Sequence, residues 1–432
     1  MIVALLFLLF IAMMLLGVPI GAALGLAGAT AIGVANADAQ WFGLLAVPQN
    51  FYAGLGKYPL LAIPMFVLVG SIFDRSGVAL RLVNFAVAIV GRGPGMLPLV
   101  AIAVAMFLGG ISGSGPANAA AVGGVMIAAM ARAGYPAAFS ASVVGAAAAT
   151  DILIPPSVAF IVYSVLVPGA SVPALFAAGM VPGILAGVAL IAPTVWMARK
   201  HKMGALEASL PRPPFWKSLR EAVWGLAAPV VILGGMRAGW FTPTEAAVVA
   251  VFYGLFVGMA IHRTIRVRDL FVILRESGEL SAVILLVVSL AGIFAYSLST
   301  LGVIDPITHA IVNSGLGEYG VLALLIVMLI TVGMLLDGVS IFLIFVPLLL
   351  PIMQHYQWDP VWFGVILTLK VALGQFTPPL AVNLMVSCRI ARVRMEETVR
   401  WVGWLLFAMA LVMVAVIAFP ELALWLPRTL GY

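Results

Sequence analysis

The chain has 432 residues, of which 64% are hydrophobic and only 9% charged, with a net charge of +6. A soluble domain carries roughly 25% charged residues, so this composition excludes soluble enzymes and nucleic-acid binders and leaves a polytopic protein of the lipid bilayer. The single Cys388 excludes a disulfide framework and a cysteine-ligated metal site.

Apolar runs of spanning length predict first-half helices near 1–16, 18–34, 58–73, 137–166 and 175–197. The first lacks a basic n-region and a cleavage pattern, so it is expected as a retained helix rather than a signal peptide. In 79–90, Leu80, Val83, Val87 and Val90 recur at helical spacing beside Arg81 and Asn84, the pattern of an arm helix on the membrane face. Segment 96–131 is too long for one crossing and breaks at Ser112-Gly113-Ser114-Gly115-Pro116. A re-entrant hairpin suits it, and two full crossings would keep the same topology.

A polar stretch at 199–221, holding Arg199, Lys200, Lys202, Arg212, Lys217 and Arg220, divides the chain. Beyond it, helices are expected near 222–236, 243–261, 280–300, 361–388 and 401–420, with an arm at 305–316. A second hairpin at 320–353 breaks at Asp337-Gly338-Val339-Ser340. Trp41, Trp216, Trp240, Trp358, Trp401 and Trp425 fall near predicted helix ends, as interface belts do. His201, His262, His309 and His355 are expected to be solvated.

The halves match each other. Pro19-x-x-Ala22-Ala23 pairs with Pro243-x-x-Ala246-Ala247, Ile72-Phe73 with Ile293-Phe294, Pro136-x-x-Phe139 with Pro360-x-x-Phe363, and Pro155-Pro156 with Pro378-Pro379, at a spacing of 221 to 224 residues. Basic residues swap sides between halves: Arg75, Arg81 and Arg92 have no counterparts in 301–319, whereas Arg263, Arg266, Arg268 and Arg275 face only Lys57. Cytoplasmic loops hold the excess of Lys and Arg. Repeats at 1–198 and 222–432 are therefore expected to be inverted around a cytoplasmic linker at 199–221, with both termini periplasmic. Lys57, Arg237 and Arg428 then stay outside and Lys370 lies within the membrane.

The fold class expected is all-α, with about ten spanning helices and two hairpins. Prolines remove N–H donors and free carbonyls, and unpaired backbone survives in a membrane only inside protein or beside a watery cavity. The breaks at Pro155-Pro156 and Pro378-Pro379 therefore mark a transport site, where free carbonyls suit Na⁺ and half-helix N-termini suit an anion. The hairpin turns supply Ser112, Ser114, Asn118, Asp337 and Ser340, each of which could equally be a helix cap. Ser157, which follows the first break, is expected among the substrate ligands with Ser112, Ser114 and Asn118. Cation sites are expected on Gly113, Gly115, Ser297, Thr300, Asp337, Gly338, Ser340, Thr377 and Pro378, because the spans hold almost no acids. Asp151 and Lys370 are the ionisable residues inside spans, functional candidates by default. They could pair, or Lys370 could neutralise a substrate carboxylate. No H-E-x-x-H, G-x-S-x-G or Walker pattern is present, so no enzyme is expected. An Asp151–Asp337 carboxylate pair is the weak alternative.

Four motifs give the chain a resemblance to a known family: Phe241-Thr242-Pro243-Thr244-Glu245-Ala246-Ala247, Leu153-Ile154-Pro155-Pro156-Ser157, Gly333-Met334-Leu335-Leu336-Asp337, and Thr377-Pro378-Pro379 with Asn383. Over essentially its whole length the chain resembles the large, DctM-type membrane subunit of tripartite ATP-independent periplasmic (TRAP) transporters. The resemblance implies an elevator-type secondary transporter of the bacterial inner membrane, coupled to Na⁺. It also implies a small four-helix partner subunit and a periplasmic binding protein that delivers an organic acid, and it adds Asn383 to the substrate candidates. Asp151, Lys370 and Gly338 depart from that family's usual small residue, Asn and Pro. A stand-alone dicarboxylate or citrate symporter, or a proton-coupled permease, is the alternative within transport.

Overall fold

The computed structural model describes residues 2–36, 42–90, 93–209, 211–334, 336 and 338–432, and these are all-helical. The first half holds α1 (Ile2–Leu15), α2 (Ile20–Ala35), α3 (Phe42–Leu55), α4 (Ala62–Arg75), α5 (Val78–Ile89), α6 (Met96–Ser112), α7 (Gly115–Arg132), α8 (Ala137–Ala148), α9 (Val158–Leu166) and α10 (Val172–Lys200). The second holds α11 (Phe215–Arg237), α12 (Pro243–Leu255), α13 (Val267–Thr300), α14 (Ile304–Val312), α15 (Gly317–Gly333), α16 (Gly338–His355), α17 (Pro360–Gly374), α18 (Val382–Ala391), α19 (Val399–Ala418) and α20 (Glu421–Leu430). Among the described residues, seven helices are long and apolar enough to cross a membrane.

The predicted segments appear as helices, with local chemistry at their starts. Thr242 and Glu245 form a reciprocal capping box on α12, with Pro243 at its first position. Asp359 caps α17 by accepting from the Val361 and Trp362 N–H groups. The two long apolar segments each fold as a helical hairpin, α6–α7 and α15–α16. A leg of 17 residues, such as α6 or α15, rises about 25 Å.

Four expectations need correction. Residues 42–55, expected in a loop, form α3, which lies against α13: a Cβ on Gly54 would be 3.2 Å from the Ser289 Cα. Helix α13 starts at Val267 rather than near 280, because Asp269 accepts from the Arg266 N–H at 2.8 Å and initiates it. Trp358 and Trp401 do not face an interface: both are buried, Trp358 donating to Glu318 and Trp401 packing edge-on to Phe139. Trp216, Trp240 and Trp425 are exposed as expected, and Trp41 lies outside the described residues. His262 is partly buried, with Nδ1 2.9 Å from the Ser76 carbonyl oxygen.

Small residues set the helix spacing. Gly21, Gly25 and Gly28 make one face of α2, and a Cβ at these positions would meet Val287, Leu290 and the Phe294 backbone of α13. Without a hydrophobic drive between helices in lipid, this close approach supplies the dispersion contact that holds them.

Candidate functional site

Both hairpin turns and both helix breaks border one cavity of about 350 Å³. The first turn contributes Gly113–Ala117, and the second Gly333, Met334, Leu336, Gly338 and Val339. The breaks contribute Ile152, Val158 and Ala159 on one side and Gln375 and Leu380–Val382 on the other. Val67, Gly70, Ser71 and Asp74 of α4, with Leu280 and Ile284 of α13, close the wall.

Chain direction decides the electrostatics here. Four helices begin at this wall: α7 at Gly115, α9 at Val158, α16 at Gly338 and α18 at Val382. Each helix start carries unpaired N–H groups and roughly half a positive charge. Three helices end there, α6 just before the lining Gly113, α15 at Gly333 and α17 at Gly374, and these ends carry the opposite sign. The cavity therefore offers an anion several positive dipole ends, and a cation the helix C-termini.

The breaks are built from backbone that leaves the helix. Pro155-Pro156 and Pro378-Pro379 both have cis peptide bonds. Ser157 donates to the Ile152 carbonyl at 2.6 Å and accepts from the Phe160 N–H at 3.4 Å, so it caps α9. Thr377 donates to the Leu373 carbonyl at 2.5 Å. Gly113 sits at φ +59° over the first break, and a Cβ there would lie 2.7 Å from the Pro156 carbonyl oxygen. Gly115 faces the second break: its Cβ would lie 2.7 Å from both Gln375 Oε1 and Asn383 Nδ2. Those two side chains bond each other at 2.9 Å, and the Asn383 N–H donates to the Gln375 carbonyl at 3.0 Å.

The turn residues Gly113, Ser114, Gly115 and Gly338 thus come together around the cavity. Asn383 stands just behind its wall, and Ser340, buried in the first turn of α16, likewise does not line it. Asn118 does not reach the cavity; its Nδ2 donates to the Ala105 carbonyl at 2.8 Å and fastens α7 to α6. Ser297 and Thr300 donate to carbonyls of their own helix. Thr300 stands 16 residues beyond the lining Ile284 on α13, about 24 Å along the axis. Asp337 lies outside the described residues, as does the side chain of Ser112.

Asp151 and Lys370 are both fully buried. Among the described residues the Lys370 ammonium has no partner, so no ion pair joins the two. Sequence reasoning overlooked Gln375 and Asp74. The signal for Gln375 was a lone amide before a proline pair, and for Asp74 an acid closing an apolar helix.

The profile of the family "Tripartite ATP-independent periplasmic transporter, DctM component" matches residues 7–422. The chain belongs to this DctM family. It is 35% identical to the C4-dicarboxylate TRAP transporter large permease protein DctM of Rhodobacter capsulatus, over 98% of each chain. It is 33% identical to the sialic acid TRAP transporter large permease protein SiaM of Vibrio cholerae, over 90% of this chain and 91% of that one. It is 36% identical to the isethionate TRAP transporter permease protein DctMQ of Oleidesulfovibrio alaskensis, over 90% of this chain; it spans 60% of that longer protein. The fold is similar to that of the YdaH transporter of Alcanivorax borkumensis, with a TM-score of 0.57 at 13% identity, covering 90% and 91% of the two chains. This DctM chain is thus a multi-pass membrane protein and a transporter permease component.

Proposed function

We propose that this chain is the large permease subunit of a secondary, ion-gradient-driven uptake system for a small organic anion such as a carboxylate. The observation that carries the proposal is the convergence of four helix N-termini on one 350 Å³ cavity, since helix starts bind anions through free N–H groups and the dipole. The relatives named for C4-dicarboxylate and sialic acid point to the same substrate class. Na⁺ is the coupling ion in this reading, held by backbone carbonyls and helix ends at the hairpin turns. A small four-helix membrane subunit and a periplasmic binding protein complete the system; the fused DctMQ relative supports the first. The chain sits in the bacterial inner membrane with 199–221 cytoplasmic and both termini periplasmic. Its halves act as inverted repeats, with hairpins and broken helices moving as an elevator against the remaining helices.

The test is uptake of labelled C4-dicarboxylate and sialic acid into vesicles containing the chain with its small subunit, with and without the binding protein. Accumulation that needs an inward sodium gradient and the binding protein is expected. Accumulation unchanged when both are withheld overturns the reading.

A further inference from the structure

Lys370 lies fully buried on α17, and its Nζ has no hydrogen-bond or ion-pair partner among the described residues. An ammonium in such a place must be held by backbone dipoles, or the loss of its hydration goes uncompensated. Its surroundings supply one. A Cβ built on Gly333 would lie 2.6 Å from Nζ and 3.2 Å from Cε, so the ammonium rests on the last residue of α15. There the peptide dipoles sum to a negative end; the Ile330 and Val332 carbonyls accept from the Met334 and Leu336 N–H groups, while the Gly333 carbonyl faces Gly374. Half-helix C-termini of this kind hold small cations in membrane transporters.

The position is made by two glycines. A Cβ on Gly374 would lie 2.9 Å from the Gly333 carbonyl oxygen, so α15 ends directly on the backbone of α17. Lys370, one turn before Gly374, reaches along its own helix to that end. Gly333, Val371, Gly374 and Gln375 line the cavity, whereas Lys370 stands behind them.

The first hairpin provides an internal control. Gly109 and Asp151 stand 224 and 223 residues before Gly333 and Gly374. They make the same joint: a Cβ on Gly109 would lie 2.9 Å from the Asp151 Cα. The residue 223 before Lys370 is Ala147. The joint therefore closes without a lysine, and packing does not require one at the second hairpin.

We propose that the Lys370 ammonium is a tethered cation at the C-terminal end of α15, standing where a mobile alkali cation of the Na⁺ class would otherwise bind. One helix-end position in the second hairpin is then permanently filled and exchanges nothing with solution. The inference rests on the ion-coupled reading above.

The experiment is thermal unfolding of the purified full chain in detergent, titrated with NaCl against choline chloride at constant ionic strength. Lys370→Asn empties the position and supplies an oxygen, whereas Lys370→Met fills it with a side chain that does not bind Na⁺. Expected is a saturable, sodium-specific rise of the midpoint by roughly 2 °C or more in Lys370→Asn beyond that of the wild type, and none in Lys370→Met. Lys370→Asn that folds only in sodium is the strongest form of this result. A sodium response equal to wild type, or equal failure to fold in sodium and choline, overturns the proposal. So does a variant that changes only the KM for the anion while the sodium order of uptake stays the same. The titration needs no solute, gradient or partner. Sodium-independent uptake by the wild type would thus overturn sodium coupling while leaving the unfolding result to decide the role of Lys370.

Discussion

The Tyr135 hydroxyl donates to Glu207 Oε2 at 2.5 Å, while the Leu97 N–H donates to Oε1 at 2.8 Å. Gly95 completes the chain by donating its N–H to the same tyrosine oxygen at 2.6 Å. The linker carboxyl thus joins the start of α6 to the turn before α8, and Arg212 fastens the same linker to the Val90 carbonyl.

Burial raises the Glu207 pKa above the ordinary carboxylate value, against the lowering effects of the Tyr135 hydroxyl, the Leu97 N–H and the Arg212 guanidinium. For a raised acid, the stabilisation is fully present below the ordinary carboxylate range and is lost as pH rises through the raised value. Lowering pH from about 7.5 to about 5 should therefore raise the stability of the fold, because the neutral carboxyl no longer bears the desolvation cost of its charge. Glu207→Gln should remove that part of the pH dependence. Unfolding midpoints of the two proteins across this range check it, and parallel curves would exclude the carboxyl.

Asn118 should behave as a fastening rather than as a ligand. Asn118→Leu loses the bond to the Ala105 carbonyl and leaves that acceptor in competition with its own helix, at a cost of about 1 kcal/mol. Unfolding should shift while the KM of uptake stays within about twofold. A KM change of tenfold without a stability change would place Asn118 at the solute.

Asn383→Ala should do the reverse. It removes the partner of Gln375 Oε1 and opens the contact with Gly115, leaving the half-buried Gln375 amide without that bond at about 1 kcal/mol. Because the pair stands at the wall shared by the first turn and the second break, uptake should fall at least tenfold while the chain remains folded. Vesicle uptake beside circular dichroism measures both.

Gly179 of α10 closes on the first break. A methyl there would overlap the Leu153 carbonyl oxygen and lie 2.5 Å from the Phe160 ring. Since a carbonyl in a rigid break cannot rotate away, Gly179→Ala should cost about 1–3 kcal/mol or more. The unfolding midpoint in detergent is the measurement, against Gly403→Ala, where a Cβ meets nothing within 4 Å.

Much of this architecture is legible in the sequence. The apolar runs, the paired prolines and the glycine-rich breaks marked α6–α9 and α15–α18 because each is a local property, a matter of hydropathy period or a missing N–H donor. The cavity-lining residues Gly113, Ser114, Gly115 and Gly338 belong to the same breaks. Helix α3 and the first turns of α13 were not legible, since their stability comes from packing on partners distant in sequence.

Type and spacing of residues thus determined a multi-pass all-helical chain with two broken hairpins, and motifs pointed to its family. Only the tertiary structure decided which polar groups face the cavity and which are spent on the fold. Ser157, Asn118 and Thr377 look alike in sequence to Ser114 and Gln375, yet the first three satisfy neighbouring carbonyls while the last two line the cavity. Tertiary structure alone also brought the end of α15 onto α17 and the Lys370 ammonium onto Gly333. Hydrogen-bond allocation and dipole direction depend on which chain ends meet in space, and neither is a property of any local stretch of residues.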